Sequence, residues 1–155
     1  MQLFLLRHAD ADTPAIHDDD RALSEKGLGQ AKRVARFCRT HSLLPDLIVT
    51  SPIRRARETA KLVAEHLDVS ADVAPFLSAG MLPETALAEL VTYRAFEKLM
   101  LVGHEPDFSR LAARLLGLSP AAAIRLRKAS LTLLRLETFR PGTAELDFSL
   151  ACKLM

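Results

Sequence analysis

The sequence has no tryptophan, one tyrosine and only two cysteines in 155 residues. Cys38 and Cys152 stand far apart, with no Cys-x-x-Cys or Cys/His spacing, so neither a disulfide scaffold nor a zinc knuckle is expected. No apolar run approaches the roughly 20 residues needed to span a bilayer. The stretch Leu3-Phe4-Leu5-Leu6 is broken at once by Arg7 and His8, whereas a secretory signal places its positive charge before a longer apolar run. An excess of one charge is missing too. Lys and Arg number 21 against 19 acids, spread over both halves of the chain, which argues against a basic nucleic-acid binder or an acidic tail protein. Gly-rich phosphate loops, metal-ligand spacings, repeats and low-complexity tracts are absent. What remains is 49% apolar and 26% charged residues, the balance of an ordinary globular chain. The expectation is a single domain over residues 1–155, soluble, cytoplasmic and monomeric, with no membrane or nucleic-acid partner.

Apolar runs of strand length alternate with helical patterns. Residues 3–6, 47–50 and 99–102 are continuous apolar runs of the kind buried on both faces of a parallel sheet, and 72–76 reads as a short fourth strand. Ser24 is placed to cap a helix running to about His41, with Leu28, Ala31, Ala35 and Cys38 as its apolar stripe, although Gly27 and Gly29 weaken it. A second helix follows Pro52, with Ala56, Ala60, Val63 and Leu67 facing inward. Helices are also expected over 84–96 and 106–116. Residues 130–137 and 145–150 flank Arg140-Pro141-Gly142-Thr143, a hairpin signal. The order β-α-β-α-β-α-β-α-β-β implies a three-layer α/β/α domain with a mainly parallel sheet and an antiparallel edge.

Ligands of such sheets collect beyond the carboxyl ends of the strands. Arg7-His8 follows the first strand, Thr50-Ser51-Pro52 with Arg54 and Arg55 follows the second, and Gly103-His104 follows the run 99–102. Two histidines and two or three arginines can thus share one pocket, suited to a multiply charged anion such as phosphate. A neutral imidazole is a competent nucleophile toward phosphorus, and only one is needed; the other, with the arginines, would hold negative charge on the transferring group.

These residues resemble a family. Leu6-Arg7-His8-Ala9 is similar to the Arg-His-Gly signature of the histidine phosphatase superfamily, the phosphoglycerate mutase-like fold. Arg21-Ala22-Leu23-Ser24-Glu25-Lys26-Gly27, Ser51-Pro52-Ile53-Arg54-Arg55-Ala56-Arg57-Glu58-Thr59 and Val102-Gly103-His104 resemble its later blocks in the same order. The short length and the His-x-Pro pairing make the chain most similar to SixA-type phosphohistidine phosphatases. The resemblance implies His8 as nucleophile and Arg7, Arg55 and His104 as catalytic phosphate ligands, with Ser51 near the substrate. It implies no metal and no cofactor. Two departures stand out. Ala9 replaces the usual Gly, and too few residues separate Phe76 from His104 for the inserted segment that carries a proton-donating Glu in larger members. Glu84 is the candidate proton donor carried forward; Glu89 and Glu97 are the other acids there.

A missing acid has a chemical meaning. An alkoxide, whose conjugate acid has a pKa of roughly 15 like bulk water, leaves poorly without a proton. A phosphorylated imidazole protonated on its other nitrogen leaves as neutral imidazole, whose conjugate acid has a pKa of about 6.5. The site therefore favours P–N cleavage, with a phosphorylated-histidine protein, a phosphotransfer domain for example, as the expected partner. A small phosphorylated compound hydrolysed by the same site is the alternative, and a non-catalytic phosphohistidine-binding module is the alternative of another class. Asp10-Ala11-Asp12, with Thr13 directly after it, also resembles the Asp-x-Asp start of the Asp-x-Asp-x-Thr signature of haloacid-dehalogenase-like phosphatases, but no paired acid follows a later strand. His17, His41 and His66 belong to no motif and are expected at the surface, and Arg125-Leu126-Arg127-Lys128 is a basic patch without an assigned role.

Overall fold

The computed structural model describes residues 1–13, 17–119 and 124–155. Six strands form one sheet: β1 (Gln2–Arg7), β2 (Leu47–Thr50), β3 (Ala71–Val73), β4 (Lys98–Gly103), β5 (Leu131–Leu136) and β6 (Ala144–Leu150). The helices are α1 (Glu25–Thr40), α2 (Arg54–Leu67), α3 (Pro83–Leu90) and α4 (Asp107–Leu115). Strand order is β3-β2-β4-β1-β5-β6. The first four are parallel, and β5 and β6 extend the sheet as an antiparallel hairpin against β1.

Alternation along β1 explains the layers, because successive side chains leave a strand on opposite faces. Leu3 and Leu5 join Val49, Leu99 and Leu101 in a core shared with Leu87 and Leu90 of α3 and Phe108, Leu111 and Leu115 of α4. Phe4 and Leu6 join Ile48, Met100 and Val102 in a second core with Val34 and Cys38 of α1 and Ala56 and Val63 of α2. Burial on both faces is why these runs read as unbroken apolar sequence.

Two local expectations are corrected. Ala31, Ala35 and Cys38 of the expected α1 stripe are buried, together with Gly27 and Val34, but Leu28 is 40% exposed. The helix expected over 84–96 ends at Leu90 and gives way to a 3-10 turn, Val91–Tyr93. Ser24 caps α1 as expected, its Oγ accepting from the Gly27 N–H at 3.1 Å. Gly27 itself turns out to be required: a Cβ there would lie 1.9 Å from the Asp10 carbonyl oxygen, a backbone atom with no side-chain freedom to yield. Gly27→Ala is expected to lower stability by about 3 kcal/mol, the upper range for overpacking a tight contact, read from the urea midpoint at unchanged slope.

The register then lines up the strand ends. Arg7 pairs with Gly103 and Thr50 with Val102. The His8 N–H donates to the Gly103 carbonyl at 2.9 Å and the Ser51 N–H to the Val102 carbonyl at 2.9 Å, so the residues just past β1, β4 and β2 stand side by side. Gly103 is held by packing as well: a Cβ would come within 2.6 Å of the Phe108 ring. No helix among the described residues is long and apolar enough to cross a membrane.

Candidate active site

His8 is 5% exposed and its orientation is fixed from both sides. Nδ1 lies 2.8 Å from the Ala9 carbonyl oxygen. A carbonyl can only accept, so the ring proton sits on Nδ1 and the lone pair on Nε2. The Arg55 Nε–H donates toward that Nε2 at 3.3 Å. Burial above all, followed by the electrostatic influence of His104, Arg55 and Arg7, pushes the His8 pKa down to about 3, against one opposing contribution from the Ala9 hydrogen bond. Ala9 is fully buried, its N–H donating to Thr59 Oγ1 at 3.1 Å, and the Thr59 hydroxyl donates to the Arg55 carbonyl at 2.7 Å. Thr59 thus ties the residue after His8 to the first turn of α2. A Cβ at position 9 is accommodated.

His104 lies across the pocket, its ring centroid 5.2 Å from that of His8. Its Nε2 is 2.8 Å from Ser51 Oγ, which also accepts from the Ile53 N–H at 3.2 Å. With one lone pair of Ser51 engaged that way, its hydroxyl can still pair with either tautomer of His104; when it donates to Nε2, the ring proton of His104 stands on Nδ1. That Nδ1 is buried and has no hydrogen-bond partner among the described residues, and neither has Arg7 Nε. Burial first, then Arg55 and Arg7, lower the His104 pKa to about 4.

Arg55 is 5% exposed, while the neighbouring Arg54 points outward into an ion pair with Glu58 at 2.7 Å. Arg55 Nη1 donates to the Asp18 carbonyl at 2.8 Å and Nη2 pairs with the Asp18 carboxylate at 3.2 Å. Arg7 Nη1 donates to the Leu126 carbonyl at 2.9 Å. Glu105, directly after His104, is half-buried, accepts from the Ser109 hydroxyl and stands in the field of Arg7; burial holds its carboxyl above the usual range.

The structure therefore brings His8, Arg7, Arg55, His104 and Ser51 together. It does not join Glu84 to them: that carboxylate is exposed and paired with Arg114 of α4 at 2.7 Å. Nor does it free Asp10 for chemistry. Asp10 accepts from Lys128 at 2.6 Å and from Ser24 Oγ at 2.8 Å, a structural tie between three loops. His17, His41 and His66 are exposed, as expected. Asp18 and the Leu126 carbonyl were not foreseen, and Thr59, though it closes the Ser51–Thr59 block, has no role legible in the sequence; of the first two, only the acidic run 18–20 left a trace there. Among the described residues no three His, Cys, Asp or Glu side chains converge as a metal site.

The low histidine pKa values have a pH consequence. In the unfolded chain each imidazole takes a proton near 6.5, whereas in the fold it resists until about 3 or 4. Acid therefore stabilises the unfolded chain. Stability is unaffected by these groups above pH 6.5 and falls below it, by about 1.4 kcal/mol per pH unit for each histidine until its folded pKa is reached. Thermal melts between pH 8 and pH 4.5 check this. Activity should behave differently: the acid limb of kcat/KM, which reports the free enzyme, is expected below pH 5 rather than at 6.5.

Comparison with known proteins agrees with this geometry. Residues 3–78 match the model of the histidine phosphatase superfamily, branch 1. An uncharacterised protein of Picosynechococcus sp. is 35% identical over 144 residues, covering 87% of this chain and 85% of the relative. The phosphohistidine phosphatase SixA of Escherichia coli is 28% identical over 121 residues, 74% of each chain. Among solved structures, the protein histidine phosphatase SixA complexed with tungstate superposes with a TM-score of 0.89 over 100% of both chains at 24% identity. The ordered motifs, the α/β/α sheet and these relatives lead to one assignment: the chain belongs to the histidine phosphatase superfamily and is a phosphatase.

Proposed function

We propose that the chain is a phosphohistidine phosphatase, hydrolysing the P–N bond of a phosphorylated histidine in a protein through a covalent phospho-His8 intermediate. The observation that carries this reading is the state of His8: buried, neutral, with Nδ1–H fixed on a carbonyl and the Nε2 lone pair turned toward the cations. The name of the Escherichia coli relative supports the substrate class.

In the first step Nε2 attacks phosphorus as the P–N bond to the substrate imidazole breaks, and that ring leaves neutral, carrying its own proton on the other nitrogen. Arg55 moves its Nε–H from the lone pair to a phosphoryl oxygen. Arg7 Nε and His104 Nδ1, both without a partner among the described residues, supply further donors to the equatorial oxygens. Ser51 holds the His104 tautomer that makes this donation available. In the second step water attacks phosphorus, His8 leaves and phosphate is released. Glu84, engaged by Arg114, offers no acid to an alkoxide, and a neutral imidazole needs none.

The test compares a phosphohistidine peptide with an alkyl phosphate on one preparation. The expected kcat/KM ratio is at least about a hundredfold in favour of P–N, the scale of general-acid assistance that an alkoxide would be denied. A faster alkyl ester would make the chain a small-molecule phosphomonoesterase. Release of no more than one phosphate per protein molecule would make it a binding module. Because the Arg7 and Arg55 guanidiniums supply the positive charge and His104 a neutral N–H donor, EDTA is expected to leave the phosphohistidine rate unchanged. A loss restored by Mg²⁺ would overturn the cationic mechanism.

A further inference from the structure

Beside the phosphate site lies a groove of about 540 Å3, of which Arg7 forms part of the wall. Its other cations are Lys26, Arg125, Arg127, Lys128 and Lys153, and its one acid is Asp10. Asp10 is already satisfied by Lys128 and Ser24. Arg125, Arg127 and Lys153 have no carboxylate partner among the described residues, and Lys26 makes no close ion pair there, feeling Asp10 only at a distance. In a chain with a net charge of only +2, this is a strong local excess.

Nor are these cations on a loosely attached loop. Leu126 and Ala129 are buried, the Leu126 carbonyl accepts from Arg7, and the Ala129 N–H donates to the carbonyls of Arg7 and His8 at 3.1 and 3.2 Å. Ala129 holds a φ of 53°, a left-handed conformation costly for a residue with a Cβ and maintained here by those contacts. Arg125 and Arg127, flanking Leu126, are exposed on a backbone fastened to the strand end that carries the nucleophile. Near Arg55 the mouth has the opposite sign, with Asp18, Asp19 and Asp20 exposed.

We infer that the basic groove is the docking surface for an acidic face of the protein that presents the phosphohistidine; this rests on the phosphohistidine reading above. Complementary charge there steers and orients a large partner, and the acidic run near Arg55 discourages the reversed orientation. A nucleic acid fits less well, because no aromatic side chain lines the groove to stack on bases.

The test uses two short synthetic peptides, each with one phosphohistidine, flanked by Asp and Glu in one and by Ser and Gln in the other, with phosphoramidate as a small substrate. At low salt the acidic peptide is expected to show a kcat/KM about tenfold above the neutral one, the lower end of electrostatic steering. In the variant Lys26→Gln/Arg127→Gln/Lys153→Gln, and for the unaltered protein at high salt, that preference should disappear while phosphoramidate turnover stays the same. An unchanged preference in the variant would overturn the docking surface. So would a single-stranded oligonucleotide that binds more tightly than the acidic peptide with the same dependence on these residues. If neither phosphopeptide is hydrolysed, the phosphohistidine reading fails on its own. Fluorescence anisotropy of the unphosphorylated acidic peptide then still decides the surface: weaker binding to the variant supports it, equal binding rejects it.

Discussion

Replacing His8 with Ala is expected to lower kcat by at least about four orders of magnitude, the scale on which enzymes lose activity with their covalent nucleophile. No neighbour can take over. The ring of His104 is 5.2 Å away between centroids and is held at Nε2 by Ser51. The Arg55 guanidinium has no lone pair to offer. Phosphate affinity should behave differently, because Arg7, Arg55 and His104 remain. Inhibition constants cannot be read on a dead enzyme, so binding of inorganic phosphate by calorimetry is the companion measurement, expected within about fivefold of the parent. Loss of both turnover and binding, with an unchanged melting curve, would mean that His8 is one more phosphate ligand and that the attacking group lies elsewhere. Asp10→Ala supplies the control for the rival carboxylate nucleophile. It should reduce stability through Lys128 and Ser24 and leave the folded enzyme active.

The second large effect separates two adjacent arginines. Arg55→Ala is expected to cost about 3 kcal/mol in kcat/KM, by analogy with removing one preorganised donor from a developing anion. Its guanidinium is buried against His8 Nε2, so it is placed to follow the phosphoryl group as the bond forms. One residue earlier the helix has turned by about 100°, and Arg54 is outside, paired with Glu58. Arg54→Ala should change kcat/KM by less than about threefold, since an exposed cation acts mainly through screened long-range attraction. Steady-state kinetics of both variants on one phosphohistidine substrate decide the matter. A larger loss at Arg54 would reverse the assignment.

Much of this architecture is legible in the sequence because the central strands are buried on both faces. Residues 3–6, 47–50 and 99–102 have to be apolar throughout, and polar residues at their ends, His8, Ser51 and His104, then mark the site. Features governed by one tight contact were harder to read. Gly27 looks like a defect in a helix until the Asp10 carbonyl is seen to occupy the space of its Cβ. Leu28 looks like core by type, yet the close approach at Gly27 fixes the rotation of α1 and leaves Leu28 outside. Contacts made by backbone atoms carry no residue signature at all. The Leu126 carbonyl on Arg7 and the Asp18 carbonyl on Arg55 could be served by almost any side chain at those positions. Glu84 failed for a different reason: sequence separation suggested an acid within reach of the pocket, while the packing of α3 beside α4 gave it Arg114.

The position of β1 in the sheet has a consequence for biosynthesis. The strand that delivers Arg7 and His8 lies between β4 and β5, which come from residues 98–103 and 131–136. During translation at about 5–20 residues per second, the interval between β1 and β5 lasts on the order of ten seconds. Throughout it the nascent strand has at least one unpaired edge and an apolar surface that its eventual neighbours have yet to cover. Arg7 also lacks the Leu126 carbonyl until late in synthesis. The ribosome-bound chain therefore displays His8, the proposed nucleophile, long before the proposed phosphate ligand Arg7 is held in place, and that same interval is when a holdase chaperone would have the most to grip.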